Sequence, residues 1–260
     1  MNKGIFCISI DYELLWGRKD LDTKPFIPLV SKERKIIGKI LELLRKYNIP
    51  ATWAVVGRIS EKGNSLWHGS DTIDKIKKVN HQEIASHSYS HEIFTDIDKE
   101  GAEKEIQTNK AKSFVFPRNR IVYLQLLKKN GFICFRGPDE TAYELLIPSI
   151  PPVYKPCLKQ GLVEIPGSMY FVSGRGIRKY IPKNLRFIKC RLGINQAIKK
   201  KCVFHIWFHP VDFANDTVKL FSDFEKILKY AAKKRELGLL KVKNMGQIAS
   251  EYLSQRFNRD

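Results

Sequence analysis

The chain has 260 residues, 43% of them hydrophobic, enough to bury a substantial core, and nothing in it repeats at a fixed period. Its 46 Lys and Arg against 27 Asp and Glu give a formal charge of +19, which suits a polyanionic partner or the anionic face of a membrane, yet no nucleic-acid-binding motif accompanies it. No apolar run approaches the length of a membrane span, and the five scattered cysteines (Cys7, Cys134, Cys157, Cys190, Cys202) form no C-x-x-C pair, which argues against a disulfide framework and for a reducing compartment.

In chain order, Ile5, Phe6, Ile8 and Ile10 read as a buried strand that delivers Asp11 and Glu13 at its C-terminal end. Ser31 to Tyr47 carries Ile36, Ile37, Ile40, Leu41 and Leu44 at helical spacing, and Ala51 to Val56 is strand-like. Ile121 to Lys129 reads helical and Phe132 to Phe135 extended. Pro148, Pro151, Pro152 and Pro156 then interrupt any helix, so residues near 137–160 are expected to be an irregular loop or insertion at the mouth of the fold. Such a loop either shapes substrate choice or is a plain surface connection. Val203 to Phe208 reads as another buried strand, followed by helix over Val218 to Arg235, strand over Leu239 to Val242 and helix over Met245 to Phe257. This alternation predicts parallel βαβ units in a single domain, 1–260. Met1 is followed almost at once by the strand bearing Asp11, which leaves no room for a removable signal peptide and predicts a cytoplasmic protein.

The chemistry concentrates at Ser86-His87-Ser88-Tyr89-Ser90-His91. An i,i+4 histidine pair shares one face of a helix, or is brought together by a turn in a loop after a strand. With a carboxylate from Asp11 or Glu13, the pair would supply the three protein ligands of a catalytic divalent ion, leaving one position open for water. Near the C-terminus, alternation in Phe204-His205-Ile206-Trp207-Phe208-His209-Pro210 puts His205 and His209 on one face. His209, where Pro210 must end the strand, is the candidate general acid, whereas the deeper His205 reads as a hydrogen-bonded core or supporting histidine. Trp16, Trp53, Trp67 and Trp207 could stack on a sugar, though Trp53 and Trp207 lie in buried-strand patterns.

Asp11-Tyr12-Glu13, Pro50-Ala51-Thr52-Trp53-Ala54-Val55-Val56-Gly57, Ala85 to His91 and Trp207-Phe208-His209-Pro210 occur in an order and spacing that resemble the NodB-homology polysaccharide deacetylases over most of the chain. The resemblance implies a distorted (β/α) barrel that removes acetyl groups from N- or O-acetylated sugars with zinc or another divalent ion, Co, Ni, Mn or Fe among them. It also implies Asp11 as catalytic base and His87 and His91 as metal ligands. The common family pattern has two adjacent aspartates, whereas Tyr12 stands second here; Glu13 fits a variant with the acid two positions on. The arginine that orients the base in the family has two rivals: Arg118, which follows Pro117 where the family has prolines after the arginine, and Arg136. Either guanidinium could hold Asp11 ionised.

The expected activity is a metal-dependent deacetylase of cell-surface polysaccharide assembly. Its substrate would be an acetylated sugar, a sugar nucleotide or a lipid-linked oligosaccharide, with peripheral contact to the inner membrane. The alternatives are a non-catalytic glycan- or polyanion-binding protein on the same scaffold and a hydrolase of a non-sugar amide.

Overall fold

The first apolar run forms strand β1 (Gly4–Tyr12), every residue of which is buried. The structure is a computed structural model that describes residues 1–107, 111–138, 150–171, 180–182 and 184–257. After β1 come α1 (Ile27–Val30), α2 (Glu33–Lys46), β2 (Ala51–Val55), α3 (Ser70–Lys77), β3 (Gln82–Ser86), α4 (Lys99–Gln107), β4 (Ser113–Phe114), α5 (Leu124–Lys129) and β5 (Cys134–Gly137). A short hairpin, β6 (Cys157–Lys159) and β7 (Leu162–Pro166), precedes β8 (Met169–Tyr170), α6 (Leu185–Lys200), β9 (Val203–Phe208), α7 (Thr217–Glu236), β10 (Leu240–Val242) and α8 (Met245–Phe257).

The strands form one sheet in the order β6-β7-β5-β4-β3-β2-β1-β9-β8, with β10 also on β1. Only β6 and β7 pair antiparallel among these strands. The parallel βαβ units are those the alternation predicted, and the sheet curls into the distorted (β/α) barrel that the family resemblance implied. Inside it pack Ile5, Cys7, Ala54, Val115, Cys134 and Val163, and Met245, Ile248 and Ala249 of α8 close the strand-start end. Outside, Phe6, Ile8, Ile10 and Tyr12 join α2, α6 and α7 in the largest apolar cluster, and a phenylalanine cluster fills the space beneath α4 and α5. Along β1 the period of two therefore sorts the chain: even positions face the helices and odd ones the barrel axis.

Two boundaries move for identifiable reasons. Helix α5 begins at Leu124, not Ile121, because Tyr123 takes a left-handed conformation (φ 56°) that a helix cannot continue through. Strand β5 starts at Cys134, because the Phe132 N–H is still bound to the Leu127 carbonyl in the turn that ends α5. Of the proline-rich stretch, Tyr154 bridges antiparallel to Val203 at the start of β9, while residues 139–149 lie outside the described residues.

Candidate active site

Five odd-numbered positions, Ile5, Cys7, Ser9, Asp11 and Glu13, step from the closed end of the barrel to its mouth, from apolar through hydroxyl to acid. Asp11 ends this inward row on β1, 2% exposed, and Glu13 lies just past the strand, 6% exposed. The histidine pair follows β3 in a loop, not a helix. Ser88 and His91 take positive φ (60° and 62°), and the His91 N–H donates to Ser88 Oγ at 2.9 Å. That tight turn brings the two imidazoles to a 5.0 Å centroid separation.

Both rings aim at one atom. His87 Nε2 lies 3.1 Å and His91 Nε2 3.2 Å from Glu13 Oε1. His87 Nδ1 is 2.8 Å from the Val115 carbonyl, which can only accept, so Nδ1 carries the hydrogen and a neutral His87 turns a lone pair on Nε2 toward a carboxylate oxygen. Two lone pairs facing each other in a buried site call for a cation between them. The donor set, two nitrogens and a carboxylate with an outer carbonyl fixing one tautomer, fits a divalent ion. A second triplet, Asp11, Glu13 and His209, is also close enough to share an ion. In it His209 faces the two acids through Nε2, while its Nδ1 lies 3.2 Å from Asp212 Oδ2.

Asp11 is clamped by Arg136 through two parallel bonds of 2.7 Å. Burial pushes the Asp11 carboxyl up, but the Arg136 guanidinium, through its charge and its paired bonds, more than offsets this and holds it below its ordinary range. Arg136, on β5, also donates to Ser9 Oγ at 3.1 Å and Asn119 Oδ1 at 3.0 Å, and its guanidinium lies 4.5 Å from the centre of the Trp207 ring. His205 is fully buried behind it, with Nε2 2.9 Å from Ser9 Oγ and Nδ1 3.2 Å from the Pro166 carbonyl. Arg118 stands elsewhere on the rim, bonded to Asp20 at 2.9 Å and to the Gly17 carbonyl at 3.2 Å.

His209 Nε2 sits 3.3 Å from Glu13 Oε1 and 4.0 Å from Asp11 Oδ2. Burial disfavours its charge, yet the Glu13 and Asp212 carboxylates prevail and raise it well above the usual histidine range. Glu13 shows the complement: burial opposes ionisation, and the cationic His209 with His91 pulls it well below the usual range. Asp212 and Ser9 were missed by sequence reasoning. Each had a period signal, Asp212 three residues past a histidine at a strand end and Ser9 two before Asp11 on the same strand face. Trp207, expected in the core, instead stacks on Tyr170 at 4.5 Å, and both line a cleft of about 490 Å³ over Asp11, Glu13 and His209.

With this geometry in view, residues 25–113 match the family model for polysaccharide deacetylase. Over that stretch the chain resembles the polysaccharide deacetylases. Solved structures agree on the fold. A Mycobacterium smegmatis protein assigned as a polysaccharide deacetylase superposes with a TM-score of 0.73 at 17% identity, over 98% of this chain and 92% of its own. Puue allantoinase gives 0.72 at 13% identity, over 96% and 90%. A CE4 family pseudoenzyme from Bacillus anthracis gives 0.53 at 15% identity, over 95% and 66%. No curated protein sequence is significantly similar to the chain. The deacetylase fold thus extends well beyond the matched residues, which hold His87 and His91 but end before Arg136 and His209. Among the described residues no helix is long and apolar enough to cross a membrane.

Proposed function

We propose that the chain is a metal-dependent hydrolase that releases acetate from an N- or O-acetylated sugar, in the cytoplasm and in the service of cell-surface polysaccharide assembly. The observation that carries this reading is the convergence of His87 Nε2 and His91 Nε2 on one oxygen of Glu13, beside an Asp11 clamped by Arg136.

A divalent ion, zinc foremost, held by Glu13, His87 and His91 would polarise the acetyl carbonyl and acidify a water. The chain's own groups divide the proton work. Asp11, kept ionised by Arg136, takes a proton from the attacking water; His209, kept protonated between Glu13 and Asp212, gives one to the departing amine or alcohol. One proton is taken and one given, so the immediate products are acetic acid and the free amine or alcohol; the acid then yields its proton to the amine or to solvent and leaves as acetate. Trp207 and Tyr170 offer the sugar ring an aromatic wall. The test is acetate release from acetylated sugars, nucleotide sugars and lipid-linked oligosaccharides by metal-stripped protein, with and without zinc. Zinc-dependent release that a His87→Ala, His91→Ala double variant loses supports the reading. Full release by that variant sinks it. Tight zinc binding with no release moves the chain to the glycan-binding alternative. Puue allantoinase, whose fold it shares, makes a non-sugar amide the second class to assay.

A further inference from the structure

The topology gathers part of the positive charge at one end. Each helix returns the chain from the mouth to the start of the next parallel strand, so the helix C-termini gather at the closed end of the barrel. Basic residues occupy the last turns there: Arg45 and Lys46 in α2, Lys128 and Lys129 in α5, Lys199 and Lys200 in α6, Lys233 to Arg235 in α7, and Arg256 in α8. Some of this serves the helix dipoles, which favour cations at C-termini. The dipoles do not account for Lys3, Lys155 and Lys201, exposed on connecting segments.

These lysines lie around one point. Gly4 pairs with Leu240, Ile5 with Val203, and Tyr154 bridges Val203, so Lys3, Leu239, Cys202 and Lys155 flank adjoining positions of the sheet. Next to them is a cavity of about 530 Å³ lined by Lys155, Lys200, Lys201 and Arg256, with no acidic residue in its wall. Among the described residues, Lys3, Lys155, Lys199, Lys200, Lys201 and Lys233 have no ion-pair partner. At the same end the turn from α7 to β10 exposes two leucines, Leu237 at 59% and Leu239 at 46%, on either side of Gly238, which takes φ 70° and approaches Lys3.

The geometry points to this closed end as a docking face for an anionic lipid bilayer. Lysines meet lipid phosphates while a leucine pair enters the boundary between headgroups and acyl chains, and the cavity admits a single headgroup phosphate. A nucleic acid or soluble polyanion would satisfy the lysines but leave Leu237 and Leu239 in water. Docked this way, the protein holds its cleft away from the bilayer, so its substrate reaches it from solution or on a carrier long enough to fold back. The inference holds whatever the cleft hydrolyses.

The test is co-sedimentation of the whole protein with phosphatidylcholine vesicles, with and without phosphatidylglycerol, over a salt series. Binding is expected only to the anionic vesicles, falling steeply with salt. Lys200→Gln and Lys201→Gln should each weaken it by about fivefold. Leu237→Ser with Leu239→Ser should weaken it at every salt concentration, with thermal melting showing that the variants stay folded. Binding that ignores the leucines, equal binding to neutral vesicles, or retention on duplex DNA without vesicle binding would each overturn it.

Discussion

Glu13 reaches the two histidines over a residue that has no side chain. A methyl group at Gly17 would collide with the Glu13 carboxyl, so Gly17 is what lets an acid two positions after Asp11 lie where it can share an ion with His87 and His91. Gly17→Ala should therefore weaken zinc binding by roughly ten- to a hundredfold, the range for disturbed ligand support, read by calorimetric titration of metal-stripped protein. His209→Gln keeps the ring's approximate bulk but cannot deliver a proton, and kcat should fall by about 10²- to 10⁴-fold with zinc affinity intact. Arg136→Lys removes one arm of the fork on Asp11; the acidic limb of the pH–rate profile should move upward, since a single ammonium lowers the carboxyl less than the paired guanidinium bonds. At this scale the sequence was most informative where spacing is local. Asp11, Glu13, His87, His91 and His209 could be singled out from short motifs. The choice between Arg118 and Arg136 could not, because it depends on which strand end faces β1 across the barrel.

At the scale of elements, period decides more than propensity. The run Ile5, Phe6, Ile8, Ile10 of β1 and the run Val203 to Phe208 were readable as buried strands; alternation put His205 and His209 on one face, and Pro210, which must end the strand, marked His209 as the one at the mouth. Helix α8 was legible as a helix, but not as the plug of the barrel. Met245 is fully buried there among Ile5, Cys7 and Val163, so Met245→Ala should cost about 2–5 kcal/mol of stability, seen in denaturant unfolding, while leaving the histidine cluster intact. Short elements resisted reading. Strand β4 has two residues and β8 two, too few to show a period, and the left-handed Tyr123 that delays α5 carries no glycine or asparagine to announce it.

Across the whole molecule, buried ionisable groups give stability a slope on both sides of neutrality. Burial, with Arg136 nearby, pushes His205 down to about 3. Below its usual value the unfolded chain takes up a proton that the folded chain refuses. His205's contribution is therefore full above about pH 6.5 and is lost as pH falls toward 3. Glu33 behaves oppositely. It is 1% exposed, with Oε2 unpartnered among the described residues, and burial, reinforced by Glu13 and Asp212 though offset in part by Arg18, raises it to about 8. From its usual 4.5 up to about 8 the unfolded chain gives up a proton that the fold keeps, so stability falls as pH rises through that window. Melting curves of metal-stripped protein should show both slopes, with His205→Gln flattening the acid side and Glu33→Gln the alkaline side.

Strand β1 shares one of its edges. Its first half pairs with β10 (Gly4–Phe6 on Leu240–Val242), its second with β2 (Ser9–Tyr12 on Thr52–Val55), and β9 covers the other side. Two of the three strands that enclose β1, β9 and β10, thus lie far downstream of it in the chain. Until residues 203–242 have been made, this wholly buried strand has an open edge, and its acid faces no His209. Such long sequence separations slow folding and lengthen the exposure of sticky surface. Removing the C-terminus from Leu240 onward should therefore yield aggregated protein, visible as loss from the soluble fraction, and not a smaller barrel with a working mouth.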